Sequence, residues 1–221
     1  MCPCNCFGFF SRAEPPQKPF NYRETPFDFG LKRKVMVAGL ASPRSYGQDP
    51  IMAMKYLKKH KITTIFALHA FRELKTIADS LGMNYVDVSI PDFEAPAIEL
   101  FDDICNEVIA QAKNKKKIAI HCMGGIGRTG TVLAAIKLKE LSNSESFFDH
   151  NCEIDSFIES PYSSRPFKCT ANVRHAIQAI RKIPGSEDAV ESEVQVHSLC
   201  YYERLLRSQH AQIQLEKANG M

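Results

Sequence analysis

No run of this 221-residue chain approaches the roughly 20 apolar residues that a membrane-spanning helix requires, and its start lacks the basic-then-apolar order of a secretory signal. Cys2 stands where myristoylation requires glycine, and the final Ala218-Asn219-Gly220-Met221 is not a prenylation box. Charge of one sign is scarce as well. A net +3 with a pI near 8.4 is too mild to argue for nucleic acid, and no nucleic-acid partner is expected. The eight cysteines are scattered too widely for a disulfide framework, so a reducing, intracellular compartment is expected. No internal repeat is visible.

What the chain does have is a regular alternation. Val35–Ala38, Ile62–Leu68, Tyr85–Ser89 and Ile118–His121 are short β-rich runs, and Ile51–His60 and Phe71–Leu81 read as helices between them. Ile98, Phe101, Cys105, Val108, Ile109 and Ala112 form a helical stripe, and another helix runs to about Leu141. Val173, Ala176, Ile177 and Ile180 define a helix stopped by Pro184-Gly185, and a last helix occupies about Ala189–Arg207. At 44% hydrophobic residues the chain can form one sizeable core. The expectation is an α/β fold, a central and mainly parallel sheet flanked by helices on both faces, with ligands bound beyond the carboxyl ends of the strands.

Residues 27–209 are assigned to this domain, and 1–26 and 210–221 to tails. The first tail carries Cys2, Cys4 and Cys6 among phenylalanines. Three readings stay open there: acylation giving membrane association, one part of a metal site (though no histidine or CxxC spacing supports it), or a partly disordered tail. Basic clusters at Lys32-Arg33-Lys34, at Lys58-Lys59-His60-Lys61 and between Lys113 and Lys117 fall at element ends. They read as solvated surface, with a bias toward acidic substrates or membranes as the alternative.

The chemistry concentrates in His121-Cys122-Met123-Gly124-Gly125-Ile126-Gly127-Arg128-Thr129-Gly130, where a strand pattern gives way to a helical one. Gly124, Gly125 and Gly127 let the backbone curl around an anion, and the helix starting near Arg128 adds unpaired N–H groups and a positive dipole end. Met123 to Gly127 would line such a cradle, and Arg128 would complete it with planar, bidentate hydrogen bonds. The same field favours the Cys122 thiolate, the nucleophilic form of cysteine. Attack on phosphorus would give a thiophosphate on Cys122, with Thr129 hydrogen-bonding the sulfur as it leaves. His121 is read as orienting the loop rather than as the base. Neither a G-x-G-x-x-G pattern nor a Gly-Lys-Ser/Thr is present.

This run resembles the signature loop of the cysteine-based protein tyrosine phosphatases. Gly39-Leu40-Ala41-Ser42-Pro43-Arg44, Ile90-Pro91-Asp92-Phe93 and Pro184-Gly185-Ser186 are similar to segments of small atypical dual-specificity phosphatases, with further likeness to the cyclin-dependent kinase inhibitor-associated phosphatase. The resemblance runs from about Phe27 to about Leu206 and is poorest between Ser142 and Lys168. It implies a phosphatase domain of that fold, phosphorylated protein as substrate, and no metal or cofactor. It also implies a general-acid loop, for which Asp92, in a proline-bounded segment after Tyr85–Val88, is preferred over Glu94. Glu191 and Gln195 stand at the two glutamine positions of a Gln-Thr-x-x-Gln motif that places the hydrolytic water in tyrosine-specific relatives, so a water-placing role for Gln195 stays open.

Residues 142–168 are read as a helical or irregular insertion. A helix from Arg128 to Leu141 rises about 1.5 Å per residue, which carries the insertion roughly 20 Å from the cradle. A structural cap or partner surface is therefore expected rather than an active-site lid. Tyr46 and Arg44 are read as surface loop residues, with the pocket rim as the alternative. The function expected is hydrolysis of phosphotyrosine, extending to phosphoserine and phosphothreonine. The alternatives are a phosphatase acting on phosphoinositides, inositol phosphates or RNA 5′-phosphate, and a phosphate-binding adaptor that turns over poorly.

Overall fold

The computed structural model describes residues 15–149, 153–160 and 162–219. Side-chain alternation along the central strands decides the layering. Val37 of β2 (Val35–Ala41) and Ile118 and Ile120 of β5 (Lys117–Cys122) face one side, and Ala38, Leu40 and Ala119 face the other. With β1 (Arg23–Phe27), β3 (Ile62–Ala67) and β4 (Asn84–Asp87) they form a sheet in the order β1-β2-β5-β3-β4. β2, β5, β3 and β4 are parallel, and β1 pairs antiparallel with β2.

Helices α1 (Pro50–Lys59) and α2 (Arg72–Ser80) cover one face through Met54, Leu57, Leu74 and Ala78. Asp49 caps α1 by accepting from the N–H groups of Ile51 and Met52, and Pro50 fits the first turn, where its missing N–H costs nothing. Helices α3 (Ile98–Lys113), α4 (Gly127–Leu141), α6 (Ala171–Arg181) and α7 (Glu193–Ala218) cover the other face. α4 is buried along nearly its whole length, and its Val132-Leu133-Ala134-Ala135-Ile136 run is apolar all round, as a helix enclosed between a sheet and other helices must be. The doubly covered, mainly parallel sheet is the architecture expected.

Three boundaries differ from expectation. The ordered body begins before residue 27, because Arg23–Phe27 forms β1 and Gln17 N–H bonds to the Met52 carbonyl. Its inward face carries Arg23 and Thr25 beside Phe27, so hydropathy did not mark it as a strand; Pro26 is tolerated because the strand lies at an edge. α7 continues through residues expected to form a C-terminal tail. The insertion contains α5 (Ser146–Asp149) and a two-stranded antiparallel sheet of β6 (Ser156–Ile158) and β7 (Phe167–Cys169), with Phe147 and Ile158 joining the main core. Cys2, Cys4 and Cys6 lie outside the described residues.

A polar knot ties the insertion to the body. The buried Glu203 carboxylate accepts from Thr170, from Asn172 at 2.8 Å and from Arg207 at 2.9 Å, while Arg207 also donates to the Phe147 carbonyl. Removing the acceptor leaves these donors unpaired, so Glu203→Ala is expected to destabilise the fold by about 3 kcal/mol in urea denaturation.

Candidate active site

The parallel register sets Ala41 beside Cys122 and Ala67 beside His121, so loops leaving three strands meet at one end of the sheet. Residues 123–126 turn the chain from β5 into α4. Backbone N–H groups can converge on an anion there only if the carbonyls point away and find donors of their own. Each carbonyl does. Met123 O accepts from Ser42 N–H at 3.0 Å and from the Ser45 hydroxyl at 2.9 Å. Gly124 O accepts from Asn21 Nδ2 at 2.8 Å, Gly125 O from Arg23 Nη2 at 2.8 Å, and Ile126 O from Gly130 N–H at 2.7 Å. Inside the turn, Gly125 N–H donates to Cys122 Sγ at 3.2 Å.

Gly125 has φ +77°, and a Cβ there would lie 2.4 Å from the Ala41 nitrogen, so both conformation and space require glycine. At Gly127 a Cβ would fall 1.6 Å from Glu191 Oε2, so the missing side chain makes room for a carboxylate.

Arg128 is buried. Its Nη1 donates to the Ile90 carbonyl at 2.8 Å, and its Nη2 meets Asp92 Oδ1 at 2.7 Å. Ile90 and Asp92 flank Pro91, so one guanidinium aims the acid loop and contacts its carboxylate, which is 65% exposed. The loop is also tied to α7: Ser192 Oγ donates to Phe93 O at 2.5 Å, Gln195 Nε2 to Glu94 O at 3.2 Å and Ser198 Oγ to Pro96 O at 3.3 Å. Cys122, Met123, Gly124, Ile126, Gly127, Arg128 and Asp92 line one pocket of about 230 Å³. Glu94 is not among its lining residues.

The remaining candidate residues have differing surroundings. Gln195 is fully buried, and its Oε1 accepts from Glu191 N–H while its Nε2 donates to Glu94 O, so both ends of its amide are engaged by backbone. It is Glu191 that lines the pocket. Burial, and secondarily Asp92, raise the Glu191 pKa, against the opposing pull of Arg128 and a hydrogen bond with Tyr162. The buried Thr129 hydroxyl makes no hydrogen bond among the described residues, to sulfur or otherwise. The insertion also reaches the site, because Tyr162 lines the pocket, and its segment is held by Ser160 Oγ on the Glu191 carbonyl and by Arg181 on Glu159 O. Helix length alone misplaced it, since the chain folds back after β6. Tyr46 lines the pocket too, whereas Arg44 turns away to Glu73 and Phe71.

Asn21 and Arg23 escaped the sequence reading. Arg23 is buried beneath the cradle, and burial lowers its pKa to about 10 although Cys122 and Glu187 favour its charged form. An arginine on the inward side of a strand alternation was the available signal. His121 is fully buried, with Nδ1 3.2 Å from the Cys122 carbonyl and Nε2 3.4 Å from Tyr85 Oη. Those partners call for a neutral ring donating from Nδ1, and burial lowers its pKa to about 4, which suits an orienting role. Among the described residues no group of three or more His, Cys, Asp or Glu side chains is gathered to hold a metal ion.

Comparison with known proteins accords with this geometry. The family model described as "Polymorphic toxin system, DSP-PTPase phosphatase" matches residues 38–140. The chain is similar to the mouse dual specificity protein phosphatase CDC14B, 35% identical over 95 residues covering 41% of this chain and 18% of the relative. It is 32% identical over 92 residues to the tyrosine-protein phosphatase cdc-14 of Caenorhabditis elegans, covering 41% of this chain and 12% of that protein. The chain thus spans less than a fifth of the length of these curated relatives. In fold it is similar to kinase associated phosphatase, with a TM-score of 0.61 at 19% identity over 86% of this chain and 98% of that one. It is also similar to PTPMT1, with a TM-score of 0.56 at 14% identity over 80% of this chain and 94% of that one.

The neutral state of His121 makes stability acid-sensitive. Its stabilising contribution is complete above pH 6.5 and is lost as the pH falls toward about 4, because the unfolded chain takes up the proton first. His121→Gln is expected to reduce the drop in unfolding free energy between pH 7 and pH 4 by up to about 3 kcal/mol, measured by urea titration at each pH.

Proposed function

We propose that this chain is a member of the cysteine-based protein tyrosine phosphatase superfamily and hydrolyses phosphotyrosine, and also phosphoserine and phosphothreonine, on protein substrates through a cysteinyl-phosphate intermediate. The observation that carries this reading is the convergence of Cys122, Arg128 and Asp92 from separate segments on one small pocket. A substrate phosphate enters the 123–128 cradle, where Arg128 Nη2 turns from Asp92 to a phosphate oxygen while Nη1 stays on the Ile90 carbonyl. Cys122 Sγ attacks phosphorus in line, the bond to the ester oxygen breaks, and Asp92 gives that oxygen its proton. Water then attacks the thiophosphate, Asp92 takes the proton back, and the sulfur leaves as thiolate.

Two features favour phosphoprotein over inositol phosphates, phosphoinositides or an RNA 5′-phosphate. No lysine or arginine occurs between Met123 and Gly127, and the Glu191 carboxylate projects over Gly127, where it repels additional phosphate groups. The thiolate chemistry fits a reducing, cytoplasmic setting, and acylation at Cys2, Cys4 or Cys6 would add a membrane tether.

Cys122→Ser is expected to abolish turnover of a phosphotyrosine peptide, and Asp92→Asn to lower kcat by roughly 10²–10⁴-fold, with Glu94→Gln near wild type. Loss with Glu94→Gln instead would reassign the acid. Faster turnover of inositol lipids than of phosphopeptides by the wild type would reject the phosphoprotein reading. Glu191→Gln is expected to raise kcat/KM on a doubly phosphorylated peptide by roughly tenfold relative to a singly phosphorylated one, because the repelling carboxylate is gone.

A further inference from the structure

At the opposite end of the sheet from the pocket, two basic clusters remote in sequence come together. The turn between β1 and β2 presents Lys32, Arg33 and Lys34, and the end of α3 with the turn into β5 presents Lys113, Lys115 and Lys116. With Lys117 they line a groove of about 660 Å³. Lys117 is paired with Glu24 at 2.9 Å; the other six cations form no ion pair among the described residues, and no carboxylate lines the groove. Those six side chains are exposed, while Leu31, Val35, Met36 and Ala112 supply apolar surface between them. Lys115, in the left-handed region at φ 58°, turns the chain sharply so that the lysines around it fan out at the end of α3.

We propose that this groove is a docking surface for a membrane rich in anionic phospholipid. Phosphate-bearing headgroups match its charge, and a cluster of this size adjoining apolar surface is suited to a bilayer interface. Nucleic acid fits less well. No aromatic side chain lines the groove to stack a base, six of its seven cations are lysines and not the bidentate arginine, and a concavity does not enter a duplex groove. The orientation has a consequence. β5 starts at the groove with Lys117 and ends at Cys122, about 17 Å farther on, so a docked molecule turns its pocket away from the bilayer. The groove shares no residue with the pocket, so docking stands or falls independently of the catalytic reading.

Co-sedimentation of the purified full chain with vesicles of neutral phosphatidylcholine, and of phosphatidylcholine carrying phosphatidylserine or a phosphoinositide, tests this. Partition to both anionic vesicles but not the neutral one is expected, with release by high salt and little competition from inorganic phosphate. Each neutralised cation should weaken partition roughly fivefold, so Lys32→Gln/Arg33→Gln/Lys34→Gln and Lys113→Gln/Lys115→Gln/Lys116→Gln should each cost about 100-fold. Turnover of an aryl phosphate should be unchanged in both variants, which also shows that they fold. Binding equal on neutral vesicles, binding unaffected by the substitutions, or tighter binding to a DNA duplex than to anionic vesicles would each overturn the proposal.

Discussion

The site depends on a division of labour in one short turn: the carbonyls of residues 123–126 are drawn outward by donors, so that the N–H groups can face inward. A peptide chain cannot aim successive N–H groups at one point without exposing as many carbonyls on the far side, and in a buried turn those carbonyls need partners. Asn21, Arg23, Ser42, Ser45 and the Gly130 N–H supply them. The edge strand thereby becomes part of an anion site that it does not line, and the loop after β2 both supports the turn and brings Tyr46 to the pocket. Arg23 adds fixed positive charge beneath the nucleophile.

Around this rigid cradle the structure sets a second, adjustable layer of charge. Arg128 is held at one nitrogen by the Ile90 carbonyl and at another by Asp92. On the proposed reading, an entering phosphate would compete for the second contact only, which would couple substrate binding to release of Asp92 through one guanidinium. The loop of Asp92 has anchors apart from that contact, because Ser192, Gln195 and Ser198 hold its carbonyls to the first turns of α7. Glu191 stands just before that helix and brings a second carboxylate to the pocket wall. The insertion supports the same wall through Tyr162 and Ser160.

The parallel sheet, its covering helices and the Cys122–Arg128 turn were legible because each rests on local pattern: two-residue and 3.6-residue periodicities, glycines at a strand-to-helix junction, and a fixed spacing. What failed did so for non-local reasons. β1 carries Arg23 and Thr25 on its inward face, Arg23 because it holds the Gly125 carbonyl of the cradle, and hydropathy therefore passed over the strand. Gln195 matches a motif position, but both ends of its amide are taken up by backbone partners at Glu191 and Glu94. Tyr162 was judged too distant on helix length, although the chain doubles back through β6 and β7.

By itself the sequence pointed to the α/β class and to an anion-binding turn carrying Cys122 and Arg128, since short-range spacing and backbone chemistry bear on those, while Asp92 as candidate acid came from the family resemblance. Only the tertiary structure decided which carboxylate reaches Arg128, that Arg23 and Asn21 hold the turn open, that Glu191 walls the pocket, and that two lysine clusters 81 residues apart, from Lys32 to Lys113, form one groove. Such relations belong to strand order and register, which bring segments together regardless of their separation along the chain.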